Sequence, residues 1–96
     1  MTSKQRAYLR GLANNLSPIF QVGKGGISDN VFKQFYDALE ARELVKASVL
    51  NTADDTARNI ADSIANKIGA QVVSVVGSKF VLYKESRQNK TIELPK

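Results

Sequence analysis

The sequence predicts an α/β domain of two layers, in which three helices pack on a four-stranded mixed sheet in the order α-β-α-β-α-β-β. Apolar residues recur at helical spacing in three segments, and short apolar runs lie between and after them. Gly77-Ser78 separates the last two runs and is a two-residue hairpin signal. Strands joined through helices pair in parallel by right-handed crossovers, whereas a hairpin adds an antiparallel pair.

The first helix is predicted over about residues 3 to 15. Thr2 can cap it, and Gln5 completes a capping box three residues later. Its buried stripe has the spacing i, i+3, i+4, i+7 and consists of Leu9, Leu12, Ala13 and Leu16. Ser17-Pro18 ends the helix, because the residue before a proline is pushed toward extended backbone. A short strand is expected at 19–22.

The second helix is predicted to follow a glycine cluster, with Ser28 as its N-cap and an end near Arg42. Its apolar face consists of Phe32, Phe35, Tyr36 and Leu39. The next strand, residues 44 to 50, alternates the apolar residues Val45, Ala47 and Val49 with Lys46 and Ser48. This alternation is typical of a strand with one buried face.

The third helix has the most regular helical period in the chain, with Thr52 as its predicted cap and Gly69 as its stop. Its apolar residues are Ala57, Ile60, Ala61, Ile64, Ala65 and Ile68. The hairpin strands are expected at 72–76 and 80–83. Residues 87–96 are polar, so we expect one domain over 1–96 with a core of about 2–85 and a loosely held tail.

The chain contains no cysteine and no histidine. Disulfides and thiolate metal sites are thereby excluded, and the usual general base near neutral pH is missing. We therefore expect no enzyme activity, no metal and no cofactor. Asp54 and Asp55 look like paired carboxylates, but acids at a helix start stabilise the helix dipole. We do not interpret them as catalytic.

The charge of the chain favours a polyanionic partner. The net charge is +5 and the pI about 9.7, which suits nucleic acid or an acidic membrane face. No stretch approaches the roughly 18 consecutive apolar residues of a membrane span, and the N-terminus lacks the apolar region of a secretory signal. The expected location is the cytoplasm.

The segment Gly23-Lys24-Gly25-Gly26 lies between a predicted strand and a predicted helix. Glycine permits positive φ and close approach, the N–H groups of a helix start favour an anion, and Lys24 adds a mobile charge. These parts suit a phosphodiester, as in the GXXG loop by which KH domains clamp nucleotides. The spacing of a nucleotide-binding P-loop is absent. A plain turn with a solvated lysine fits the local pattern equally well.

Basic residues elsewhere extend this hypothesis. Lys4, Arg6 and Arg10 lie on the first helix. Arg6 and Arg10 are one turn apart near its N-terminal half, where cations oppose the helix dipole, so an external anion is indicated. A solvated face is the usual fate of such charges and is the alternative. Further candidates in or beside the sheet are Lys46, Lys79, Lys84 and Arg87.

Four blocks of sequence carry a resemblance when they are taken together. They are Lys4-Gln5-Arg6-Ala7-Tyr8-Leu9-Arg10, Gln21-Val22-Gly23-Lys24-Gly25-Gly26, Arg42-Glu43-Leu44-Val45-Lys46, and Val76-Gly77 with Val81-Leu82-Tyr83-Lys84. In this order, over about residues 2 to 85, the blocks resemble the YhbY family. That family consists of bacterial stand-alone CRM (chloroplast RNA splicing and ribosome maturation) domains.

The resemblance implies an RNA-binding fold similar to the C-terminal domain of bacterial translation initiation factor three. It also implies association with precursors of the large ribosomal subunit and a role in ribosome assembly. The G-x-x-G loop of the family maps onto residues 23–26, and its basic first helix onto Lys4, Arg6 and Arg10. Many members have arginine where this chain has Lys84, and lysine keeps the charge but lacks the planar fork.

We therefore expect a monomeric RNA-binding assembly factor that partners large-subunit rRNA precursors and ribosomal particles, and not a membrane. Its expected RNA-binding residues are Gly23, Lys24, Gly25, Gly26, Lys4, Arg6, Arg10, Lys46 and Lys84. The alternative is a protein-interaction adaptor whose basic face meets an acidic partner.

Overall fold

In the computed structural model, which describes residues 1–96, three helices and four strands follow the predicted order. They are α1 (Ser3–Ala13), β1 (Phe20–Val22), α2 (Asp29–Arg42), β2 (Leu44–Val49), α3 (Ala57–Ile68), β3 (Gln71–Val76) and β4 (Lys79–Tyr83). The predicted capping box of α1 and the stop of α3 at Gly69 are both confirmed. None of the three helices combines the length and the apolar character that crossing a membrane requires.

The four strands form one mixed sheet in the order β1-β2-β4-β3. β1 pairs in parallel with β2, whereas β2 and β3 both pair antiparallel with β4. The predicted mixed sheet is therefore confirmed. The register of β3 shifts between Val72 and Ser74, which is a β-bulge in this edge strand.

The helices cover both faces of the sheet, so the predicted arrangement in two layers is wrong. α2 and α3 cover one face over a core of 13 buried residues that includes Phe35 and Phe80. α1 covers the other face, where Leu9 belongs to a second core together with Val81. The physical reason lies in β4, whose residues 80–83 are all buried and therefore need cover on both faces.

Two helix boundaries differ from the predicted ones. α1 ends at Ala13, and Leu12 and Leu16, which were expected in the buried stripe, are 36% and 37% exposed. α3 begins after Thr56, whose hydroxyl accepts a hydrogen bond from Asn59 N at 3.2 Å, so Thr52 is not the cap. The Asn59 amide and the Thr56 N–H both donate to Asp55, and they lower the pKa of that carboxyl.

The C-terminal segment, which the sequence predicts to be loosely held, is hydrogen-bonded to the domain through Glu43. Glu43 is fully buried. Its carboxylate accepts hydrogen bonds from the backbone N–H groups of Ser86 at 2.8 Å, Thr91 at 2.6 Å and Ile92 at 2.8 Å. The Glu43 carboxylate thus accepts backbone N–H groups that would pair with a neighbouring strand if this segment lay in a sheet.

Side chains of the tail strengthen the attachment. Ile92 and Leu94 pack against the core under α1, and Gln5 Nε2 donates to the carbonyl oxygen of Pro95 at 3.0 Å. Ile92 and Leu94 are two residues apart, which is the spacing of an extended segment with one apolar face. The tail therefore covers part of the sheet beside the N-terminal half of α1.

Acid is expected to detach the tail. Burial by itself would raise the pKa of Glu43, but the N–H groups of Ser86, Ile92 and Thr91 outweigh burial and hold the pKa below its ordinary value of 4.5. Because the folded-state pKa lies below the unfolded one, the stabilisation is present above that ordinary value and is lost as the pH falls through the folded value. Hydrogen-exchange protection factors at Thr91 and Ile92 should fall between about pH 6 and about pH 3. Equal protection at both pH values would contradict this role of Glu43.

Candidate nucleic-acid interface

The glycine loop between β1 and α2 is an open turn that needs glycine for its backbone. Gly25 and Gly26 have φ of 96° and 65°, where side chains other than glycine are strained. A Cβ on either residue would meet no atom within 4 Å, so space within the fold does not require glycine there. The N–H of Gly26 donates to the Gly23 carbonyl oxygen at 3.1 Å and closes the turn. Lys24 is exposed at its tip.

The two ends of this loop are fixed. A Cβ on Gly23 would lie 3.1 Å from Leu50 Cδ1 and 3.2 Å from Thr52 Oγ1, so glycine here lets the loop pack against the β2–α3 loop. At the other end, Ile27 packs against the core under α2 and α3. Ser28 caps α2 by accepting a hydrogen bond from the N–H of Val31. The turn that carries Lys24 is therefore held in place although its tip is exposed.

The start of α2 is less favourable to an anion than the sequence indicates. The hydroxyl of Ser28 already accepts a hydrogen bond from one N–H group of the first turn, and Asp29 adds a negatively charged carboxylate there. At this end of the sheet, Lys24 and the backbone of the loop are therefore more favourable to an anion than the helix dipole is.

The cations of α1 divide between two sides of the helix. Leu9 and Ala13 mark its buried side. With about 100° between successive residues, Arg6 and Arg10 lie one turn apart on one flank of that side, whereas Lys4 lies nearly opposite it. The structure thus brings Arg6 and Arg10 together and leaves Lys4 apart from them.

A concave surface lies beside the end of α1 on its face of the sheet, and we call it the α1-side pocket. Its volume is about 240 Å³. The residues that line it are Arg10, Ala13, Asn14, Lys46, Ser74, Val76, Lys79 and Val81. Lys46 pairs with Val81 and Lys79 with Ser48, so the two lysines are two positions apart in register and project from the same face.

The glycine loop and the α1-side pocket lie at the same end of the sheet. Val22, the last residue of β1 before the loop, pairs with Val49. The N–H of Val49 also donates to Ser78 in the hairpin at 2.7 Å, so the hairpin and Lys79 are near this end. We call Lys24, Arg6, Arg10, Lys46 and Lys79 together the basic surface.

Acidic residues are absent from the segments that build the basic surface. Residues 1–28, 44–53 and 63–84 contain no Asp or Glu, and all nine acids lie outside these segments. None of the five cations of the basic surface takes part in the four ion pairs of the chain, which are Lys33–Asp37, Arg58–Asp62, Lys84–Glu40 and Lys90–Glu85. The positive charge of the basic surface is therefore not offset by ion pairs within the chain.

Residues 1–84 match the CRS1 / YhbY (CRM) domain. The chain belongs to this family. It is 50% identical over 95 residues to the Probable RNA-binding protein YqeI of Bacillus subtilis, covering 99% of both chains. An RNA-binding protein of Haemophilus influenzae is 32% identical over 96 residues, which cover 100% of this chain and 96% of that one.

A solved structure supports the fold of this CRM domain. The solution structure of the hypothetical protein SAV1595 from Staphylococcus aureus has a TM-score of 0.81 and 48% sequence identity, covering 99% of both chains. The family predicted from the four sequence blocks is therefore confirmed, as are the order of the elements and the four-stranded mixed sheet.

Lys84 lies away from the basic surface of the CRM domain. Its ammonium is 3.8 Å from a carboxylate oxygen of Glu40 and 5.0 Å from the ring centre of Tyr36, and its side chain is only 18% exposed. Both partners belong to α2, on the other face of the sheet. The structure therefore gives Lys84 a packing role within the CRM domain, and we leave it out of the proposed interface.

Sequence reasoning missed two polar residues of the α1-side pocket, Asn14 and Ser74. The sequence predicts Asn14 inside α1, but in the structure it is the C-cap of that helix. Ser74 reaches this face only through the bulge in β3, because it pairs with Val81 instead of Phe80. A bulge moves the following residues to the opposite face, and no local pattern in the sequence signals this one.

Proposed function

We propose that this CRM domain is a non-enzymatic RNA-binding protein whose basic surface holds the phosphate backbone of ribosomal RNA. The observation that carries the proposal is the separation of charge. Five cations lie at one end of the sheet and beside α1, in segments that contain no acid, and none of the five takes part in an ion pair. The names of the two curated relatives support RNA as the ligand.

Each part of the basic surface has a physical role in this proposal. Lys24 and those N–H groups of the glycine loop that do not close its turn bind one phosphate, since glycine lets another backbone come close. Lys46 and Lys79 bind phosphates across the sheet, and Arg6 and Arg10 extend the contact along α1. On a folded RNA, shape and contacts to the 2′-hydroxyls dominate over a base code.

The family resemblance extends the proposal to a biological setting. We propose that the RNA is a precursor of the large ribosomal subunit, and that the protein acts in the cytoplasm as a monomeric assembly factor on ribosomal particles. In-cell RNA crosslinking, followed by sequencing of the attached fragments, tests this directly. Fragments enriched in large-subunit rRNA are expected. A crosslink profile that follows total RNA abundance, or one enriched in another RNA class, would reject the ribosomal assignment.

The affinity for structured RNA is expected to fall steeply with salt. If three to five phosphates are neutralised, the slope of log K against log salt concentration should be roughly −2 to −4. Filter binding over a salt series measures this slope, and Lys79→Gln should make it shallower by roughly 1 because one contact is lost. A slope near zero would show that phosphate contacts do not drive binding.

One observation favours the adaptor as a second candidate. Leu12, Leu16 and Ile19 line a groove of about 610 Å³ on the other flank of α1. Arg42 and Lys46 also line it, so its chemistry suits an apolar segment that carries acidic side chains. A pull-down with and without nuclease separates the two functions. A protein partner that persists after RNA removal supports the adaptor, and one that disappears supports RNA binding.

A further inference from the structure

We infer that the α1-side pocket receives one unpaired nucleotide of the bound RNA, with the guanidinium of Arg10 stacked on its base. This inference rests on the proposed function, because it names the feature of the RNA that the same surface selects. Unstacked bases in loops, bulges and ends are the parts of RNA that proteins can enclose and hydrogen-bond.

The lining of the α1-side pocket combines the groups that a nucleotide needs. Lys46 and Lys79 supply positive charge for the flanking phosphates, Asn14 and Ser74 supply neutral polar atoms, and Val76 supplies an apolar wall. No carboxylate lines the pocket. A site that bound phosphate alone would need only the cations, so the neutral groups and the apolar wall indicate that a base enters as well.

Arg10 is free to stack on such a base. It is exposed and takes part in none of the ion pairs of the chain. It comes from α1 whereas Val76 comes from β3, and Val76 is 74% exposed. A base between them would be covered by a guanidinium plane from the helix and by an apolar side chain from the sheet, and arginine planes are common stacking partners of unpaired bases in RNA.

Asn14 and Ser74 can hydrogen-bond to the edge of the base. Neither side chain takes part in a hydrogen bond within the chain. The backbone N–H of Asn14 is engaged by the Arg10 carbonyl oxygen at 3.1 Å, which fixes the position of the residue at the end of α1. An amide offers both donors and an acceptor, and a hydroxyl offers one donor and two acceptor sites.

The size of the pocket limits what it can hold. Its 240 Å³ lies below the roughly 300 Å³ at which sites for drug-sized ligands begin. It is therefore suited to a single base and not to a larger part of the RNA. In an A-form duplex the bases are stacked on one another and show only their edges in the grooves, so a fully paired helix cannot place a base in the pocket.

The test compares two RNA duplexes of equal length that differ only in one bulged nucleotide, by fluorescence anisotropy with the full chain. The natural chain should bind the bulged duplex about 10-fold more tightly than the paired one. Arg10→Lys keeps the charge but loses the planar guanidinium, so it should weaken the bulged complex more than the paired one. The ratio of the two affinities should then be about 2 or below. Asn14→Ala with Ser74→Ala should also lower the ratio. The control Arg58→Lys, in an ion pair on α3, should leave it unchanged.

The results separate the inference from the proposed function. Tight binding of both duplexes with a ratio near one, or an equal loss of both complexes in Arg10→Lys, overturns the nucleotide pocket while RNA binding stands. Failure of the natural chain to bind either duplex overturns both. Circular dichroism of each variant confirms that the fold is retained, and a falling ratio in both the Arg10 and the Asn14/Ser74 variants supports the inference.

Discussion

Replacing Lys24 by Glu together with Gly26 by Asp is expected to lower the affinity for structured RNA by at least about 100-fold. Loss of a charged hydrogen bond to phosphate costs about 1.5–3 kcal/mol, and two new carboxylates beside the RNA backbone add repulsion. A total of about 3 kcal/mol corresponds to roughly two orders of magnitude in the dissociation constant. Filter binding at one fixed salt concentration measures the change.

The fold should survive this double substitution. Gly26 has a φ of 65°, and Asp is among the residues that tolerate this region, so the strain costs about 1 kcal/mol. An Asp side chain at this position meets no neighbouring atom within 4 Å of its Cβ. Circular dichroism and thermal unfolding should therefore stay close to those of the natural chain.

A matched control distinguishes the effect of where the charge is changed from the effect of how much the net charge is changed. Lys67→Glu with Ser63→Asp makes the same change of net charge on exposed residues of α3, away from the basic surface. It should weaken binding only slightly, because exposed charges separated by more than about 10 Å are largely screened at ordinary salt. Equal losses in the two double variants would show that net charge alone governs binding and would remove the glycine loop from the interface.

Replacing Glu43 by Ala is expected to lower the free energy of unfolding by about 3 kcal/mol or more. The substitution removes the acceptor of the N–H groups of Ser86, Thr91 and Ile92, and hydrogen bonds to a charged group contribute about 1.5–3 kcal/mol each. Detachment of the tail lets water solvate these groups and keeps the loss below their sum. In a domain of this size the midpoint of thermal unfolding should fall by about 10–20 °C.

Two further variants identify the cause. Glu93 is an exposed carboxylate in the same tail, and Glu93→Ala should change stability by less than about 0.5 kcal/mol. Glu43 itself has a φ of 65°, so Glu43→Gly loses the carboxylate but relieves about 1 kcal/mol of backbone strain. It should therefore be more stable than Glu43→Ala. If Glu43→Ala unfolds at the same urea concentration as Glu93→Ala, the carboxylate does not hold the tail.

The sequence by itself determined the features that depend on neighbouring residues. The order of helices and strands, the capping box of Thr2 and Gln5 and the hairpin at Gly77-Ser78 all follow from patterns within a few positions. The glycine loop was recognised for the same reason, because glycines that precede a helix cap form a local signal. Four such blocks in a fixed order were enough to predict the family.

Only the tertiary structure decided which residues meet. The face on which α1 packs depends on the buried residues of β4, which are distant in the chain, and it selects Arg6 and Arg10 over Lys4. Likewise, Lys84 pairs with Glu40 of α2. Glu43 reads as an exposed acid at a helix end, yet it is buried because a tail more than 40 residues further along returns to it. These contacts join residues that are far apart in the chain, and no pattern of neighbouring residues indicates them. They stabilise the protein only once folding has brought the residues together.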